Sequence, residues 1–195
     1  MPCPEKFKET LVKYGVDEET IQLINDGYEN IVSRTPKPRK AAYFKRAMDI
    51  LDERVDKTTK CAILDYNACC KSGYRKKNSE KFALENVELS IDERIPKIKH
   101  VTYMGNPIKN EDGTITVHAV YFREENKFKC ACPNFGNFKR DYPVSKTYCF
   151  CCAGHFRYHY EIMLGCRLEV LEIISSPLDS DGANPCVFKF NVLED

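Results

Sequence analysis

The sequence predicts an α+β fold in which a helical first half is followed by a mainly antiparallel sheet packed on one long helix. Three observations carry this. Up to about residue 92 the apolar residues recur at helical spacing between Gly- and Pro-containing breaks. From about residue 100 the period changes to two, with β-branched and aromatic residues alternating against polar ones. Between the later strands lies one long stretch, about Tyr148 to Leu164, with an apolar face at i, i+3, i+4, i+7 and a stop at Gly165. The chain therefore divides into an N-terminal helical region, 1–92, and a cysteine-rich α+β region, 93–195.

The elements follow in order. Phe7 to Tyr14 is a short amphipathic helix closed by Gly15, and Asp17 is an N-cap for the next, DEETIQLINDGYENIV. The TPKP breaker at Thr35 to Pro38 precedes KAAYFKRAMDILDERV, where Ala42, Phe44, Ala47, Met48 and Leu51 approximate one face. Asp56 caps KTTKCAILDYNACC, expected to run helical up to the Lys71–Gly73 turn, and Ser79 and Ser90 are candidate starts of two more helices. The turn Asn110–Gly113 feeds TITVHAVYF, with Ile115, Val117, Ala119 and Tyr121 on one face. A second strand, KFKCAC, places Phe128, Cys130 and Cys132 together. RLEVLEII and CVFKFNV complete the sheet.

Thirty basic residues against 29 acidic ones leave a net charge of +1, which gives no electrostatic case for nucleic acid. The basic runs Arg34 to Arg46 and Lys71 to Lys81 read as solvated helix ends and loops. No run approaches a membrane span, and the first residues lack the apolar segment of a secretory signal, so a reducing cytoplasm is the expected compartment. There, eleven cysteines point to metal ligation, thiol chemistry or burial as small apolar groups rather than to a disulfide framework.

The stretch KCACPNFGNFKRDYPVSKTYCFCCAGHFRYHY, Lys129 to Tyr160, concentrates that load. Cys149 and Cys152 share the helix face with Ala153, Phe156 and Tyr160, and Cys130 and Cys132 share a strand face. These four thiols could converge under the helix N-terminus as a tetrahedral site, with zinc the default ion. Packing of the same cysteines as small core residues accounts equally well for the pattern. Cys151 and His155 are weaker candidate ligands, and Cys151, His155 and His159 form a ladder on one side of the helix. Cys69 and Cys70, before a basic turn, could complete the site or wall a pocket. Gly154, costly inside a helix, calls for a close approach by backbone or ligand. No nucleophile elbow, phosphate loop, metalloprotease motif or dinucleotide fingerprint is present.

The run YCFCCAGHFRYHYEIMLGCRLEVLEIISSPLDSDGANPCVFKFNV resembles the end of the 4-vinyl reductase-type small-molecule-binding domain. The likeness lies in Cys149 or Cys152, Gly154, Leu164–Gly165, the strand Leu168 to Ile174, Gly182, and Cys186 with Phe188. CACP and YCFCC are similar to an uncharacterised cysteine-rich prokaryotic branch, related to L-2-amino-thiazoline-4-carboxylic acid hydrolase-like proteins. The resemblance covers the last third of the chain, and the extra cysteines and the GNFKRDYPVSK loop depart from it. It implies an α+β fold with a cavity between helix and sheet for a small ligand or metal. The resulting expectation is a sensor or carrier that binds a metal ion or small molecule, with a homodimer as the candidate assembly. The alternative is a small-molecule hydrolase in which Cys152, with His155 or His118 as base, attacks as a thiolate.

Overall fold

Local capping signals set the helical half. In the computed structural model, which describes residues 2–101, 103–119, 122–136 and 139–193, α1 (Pro4–Lys13) opens with a proline whose missing N–H would have lacked a partner anyway. Asp17 caps α2 (Glu18–Asn25) by accepting from the Thr20 amide at 2.8 Å. The TPKP breaker opens α3 (Lys37–Arg54), and Asp56 caps α4 (Lys57–Tyr66) through the Thr59 amide at 3.0 Å. A loop leads to α5 (Gly73–Glu85), and Ser90 and Glu93 form a reciprocal capping box at the start of α6 (Ile91–Ile98).

Three helical expectations shift. On α3 the buried face is Ala41, Tyr43, Phe44, Ala47, Met48 and Leu51, with Ala42 at its margin. Ser79 sits in the middle of α5 rather than at its start, fully buried. α4 stops at Tyr66, well short of Cys69. The buried Asn67 ends it by turning its side-chain amide back onto the Ile63 carbonyl (2.9 Å) and onto Thr10 Oγ1 of α1 (3.1 Å).

The alternating segments form a four-stranded antiparallel sheet in the order β1 (Asn106–Lys109), β2 (Ile115–His118), β6 (Val187–Leu193), β5 (Arg167–Ser175). The β1–β2 turn falls at Asn110–Gly113 as the sequence predicts, with Gly113 at φ 79°. Ile115, Val117 and Ala119 are buried; Val120 and Tyr121 lie outside the described residues. A separate ribbon pairs β3 (Phe122–Glu124) with β4 (Lys127–Lys129). Cys130 and Cys132 come after β4, in a turn where the Cys132 carbonyl accepts from the Phe135 amide at 3.0 Å.

The long helix α7 (Phe150–Leu164) follows a 3-10 turn at Lys146–Cys149 and ends at Gly165, whose φ of 70° is the left-handed stop. One side lies on the sheet, with Phe156 against Phe188 (centroids 5.6 Å) and Tyr160 against Phe190 (6.4 Å). The opposite side packs on α4 and α5. α7 is therefore buried on both sides, and one continuous core draws residues from both halves of the chain, from Phe7 to Phe190. Among the described residues no helix is long and apolar enough to cross a membrane.

Candidate metal centre

The loop joining α4 to α5 is held down by one side of α7. Cys151, His155 and His159 stand four apart, one turn above the next. Cys151 Sγ donates to the Asn67 carbonyl (3.5 Å), His155 Nδ1 to that of Cys69 (3.1 Å), and His159 Nε2 to that of Cys70 (2.9 Å). The ladder read from the sequence thus binds a polypeptide segment, satisfying three carbonyls that would otherwise be left unpaired at the end of α4. Ser79 Oγ completes it at 2.8 Å from His159 Nδ1, and also bonds the Arg75 carbonyl at 3.0 Å.

Held this way, Cys70 adopts φ 60°, a left-handed backbone that a residue with a Cβ adopts at a cost. The turn brings Cys69, Cys70 and His155 together, so that both Sγ atoms and an imidazole nitrogen lie within 4.8 Å of one another. Adjacent residues in extended backbone point to opposite sides, so the two thiols meet only because the chain reverses here. This cluster could hold a metal ion, and with Cys70 exposed it has an entry path from solvent.

Both neighbours of the His155 ring dictate one tautomer. The Cys69 carbonyl only accepts, so the proton is on Nδ1. Arg75 only donates, so its Nη1, 3.2 Å away, faces the lone pair of Nε2. A metal-ligating histidine commonly shows this arrangement, with a backbone carbonyl fixing the far nitrogen. Burial, with His159 second, lowers the His155 pKa to about 3, and burial lowers that of His159 as well. Burial, then the neighbouring Cys69 thiol, raises Cys70.

These neutral histidines give the protein a pH signature. In the unfolded chain His155 takes a proton below its ordinary pKa of 6.5, whereas in the fold it does not until about pH 3. The unfolded state binds more protons throughout that interval, so stability falls as pH drops through it, by at most about 1.4 kcal/mol per pH unit for one histidine. Urea midpoints of metal-free protein between pH 7 and 5, above the carboxylate range, should decline. His155→Gln should flatten the slope, and an unchanged slope in that variant would count against a neutral buried His155.

The other sequence candidates gather elsewhere. Cys130, Cys132, Cys149 and Cys152 meet in one neighbourhood at the start of α7, close enough that the Cys149 thiol is raised by burial and then by Cys130. Cys152 is raised by burial and then by Cys186, beside β6. Among the described residues, however, no three of them bring their sulfurs within 4.8 Å of one another. Cys149 Sγ donates to Ser176 Oγ (3.1 Å), and Cys132 Sγ bonds the Tyr148 hydroxyl (3.3 Å). Of the residues offered for nucleophilic attack, Cys152 is raised first by burial and then by Cys186, and His155 Nδ1 is bonded to the Cys69 carbonyl. His118 stands on the sheet face opposite Ile115 and Val117. Gly154 has the close neighbour it called for, which is protein: a Cβ there would sit 3.1 Å from Asp65 Cα and closer still to Asp65 Oδ1.

Of the eleven cysteines, Cys70 alone is exposed. Desolvation holds Cys130, Cys132, Cys149, Cys151, Cys152 and Cys186 as thiols, and raises Cys61 to about 11. Brief alkylation of the native metal-free protein near pH 8, followed by peptide mapping, should label Cys70 first. Primary labelling of Cys149 or Cys152 would contradict this burial pattern.

Two participants were not singled out in the sequence. Arg75 is hidden in the basic run before α5, where nothing separates it from its solvated neighbours. Asp65, gripped by Arg157 at 2.8 and 3.0 Å, anchors the α4 end of the loop, and its carbonyl accepts from Lys71 Nζ at 2.9 Å. Comparison with family models, with curated proteins and with solved structures finds no match to this chain.

Proposed function

We propose that this chain is a metal-binding domain whose ion, zinc, is held by Cys69, Cys70 and His155, and that it acts as a sensor or carrier in a reducing cytoplasm. The observation that carries the reading is the convergence of two thiols and an imidazole within 4.8 Å. Two thiolates and a histidine suit zinc, and three protein ligands leave its fourth tetrahedral position for water or a bound molecule. The readout follows from the architecture: an ion on His155 Nε2 must displace Arg75 and would add a second tie between the α4–α5 loop and α7, beside the hydrogen bonds to the loop carbonyls. The likeness to the 4-vinyl reductase-type domain stays part of this proposal on its C-terminal motif alone.

The test is the elemental metal content of untagged protein purified anaerobically, before and after dialysis against zinc. About one zinc per chain is expected, with Cys70 protected from alkylation until a chelator is added. Protein that takes up no zinc and leaves Cys70 reactive throughout would end this reading.

A further inference from the structure

Resting on that zinc reading, we infer that the fourth position of the Cys69–Cys70–His155 site takes a small monocarboxylate, recognised by Arg75. The charge count points to an anion. Two thiolates cancel a divalent ion, and the Arg75 guanidinium, 3.2 Å from His155 Nε2, adds a positive charge that no carboxylate balances among the described residues of this partly buried site. A single negative charge on the ligand neutralises it, and partly buried charge is costly unless compensated.

The surroundings of Arg75 point the same way. Among the described residues no carboxylate pairs with it, although thirteen ion pairs occupy other basic groups of the chain. Its guanidinium instead lies over the Tyr103 ring, 5.1 Å from the centroid. The Tyr103 hydroxyl is itself buried without a hydrogen-bond partner among the described residues. A guanidinium fork without a carboxylate partner, in contact with one residue of a metal-competent cluster, is the donor a carboxylate uses, one oxygen toward the ion and the other toward the fork. Once displaced from the Nε2 lone pair, Arg75 has the reach to meet such a ligand, because it starts from contact with the ligating nitrogen.

Cobalt(II) stands in for zinc and reports changes in its coordination through its visible absorption bands. The full chain, loaded with cobalt in acetate-free buffer, is titrated with sodium acetate. The bands should shift with saturation, and Arg75→Ala should keep its cobalt while weakening acetate binding about 10–100-fold, the scale of a charge-assisted hydrogen bond. Arg75→Lys, which keeps the charge and loses the fork, should fall between. Bands that acetate does not move, or equal acetate affinity in wild type and Arg75→Ala, would overturn the inference and leave the metal site standing. Loss of cobalt in Arg75→Ala would also overturn it, by making Arg75 a support of the site rather than of its ligand. Failure of the wild-type chain to bind cobalt at all would remove the zinc reading itself.

Discussion

Replacing His155 by glutamine should lower zinc affinity by about two to three orders of magnitude while the domain stays folded. Structural zinc sites draw roughly 10–16 kcal/mol from their ligands together, so one ligand is worth about 3–4 kcal/mol. Glutamine fills much of the imidazole volume and can still donate to the Cys69 carbonyl, so the loop keeps its anchor. Cys70→Ser should cost a similar factor. Cys152→Ala is the informative contrast, because Cys152 is a sequence candidate that does not belong to the Cys69–Cys70–His155 cluster. It should leave zinc binding unchanged and remove only a small amount of packing, about 1 kcal/mol. Competition titrations with a chromophoric chelator measure all three. Zinc lost in Cys152→Ala and retained in His155→Gln would move the site to Cys130, Cys132, Cys149 and Cys152.

The second large effect is on stability. Gly154→Ala should destabilise the protein by about 2 kcal/mol, although alanine is the better helix former by about 1 kcal/mol. The reason is contact with α4: the new Cβ would stand 3.1 Å from Asp65 Cα, which is backbone and cannot rotate away. The nearer atom, Asp65 Oδ1, is held by Arg157 Nε at 3.0 Å and is not a free side-chain end either. Relief requires α4 to back off α7, at the cost of about 1–3 kcal/mol typical of overpacking. Thermal unfolding should show a loss of roughly 5 °C for a chain of this size. Because Asp65 also anchors the loop through Lys71, zinc affinity should fall in the same variant. A gain in stability would mean that helix propensity outweighs the contact.

The features legible along the chain are those that neighbouring residues encode. Asp17, Asp56 and Ser90 announced their caps because a side chain meets an amide two or three residues on. Gly165 announced the end of α7 because only a left-handed residue stops the helix there. The alternation of Ile115, Val117, Phe188 and Phe190 marked the buried sheet face, and Phe156 and Tyr160 the face of α7 that lies on it. Even the cost of Gly154 was legible, though not the identity of its neighbour.

The cluster of Cys69, Cys70 and His155 arises from long-range packing. Cys69 and Cys70 fall in what reads as the end of a helix, and the side chain of Asn67, reaching Thr10 at a separation of 57 residues, releases them into a loop. His155 meets the Cys69 carbonyl across 86 residues of chain, and Arg75 meets His155 across 80. No local spacing records such pairs, because they depend on how α4, α5 and α7 pack. The conspicuous thiols at Cys130 to Cys152 drew attention by density, yet density along a chain does not set distance in space. The left-handed turn at Cys70 does so for two residues, and α7, buried on both sides, brings the third.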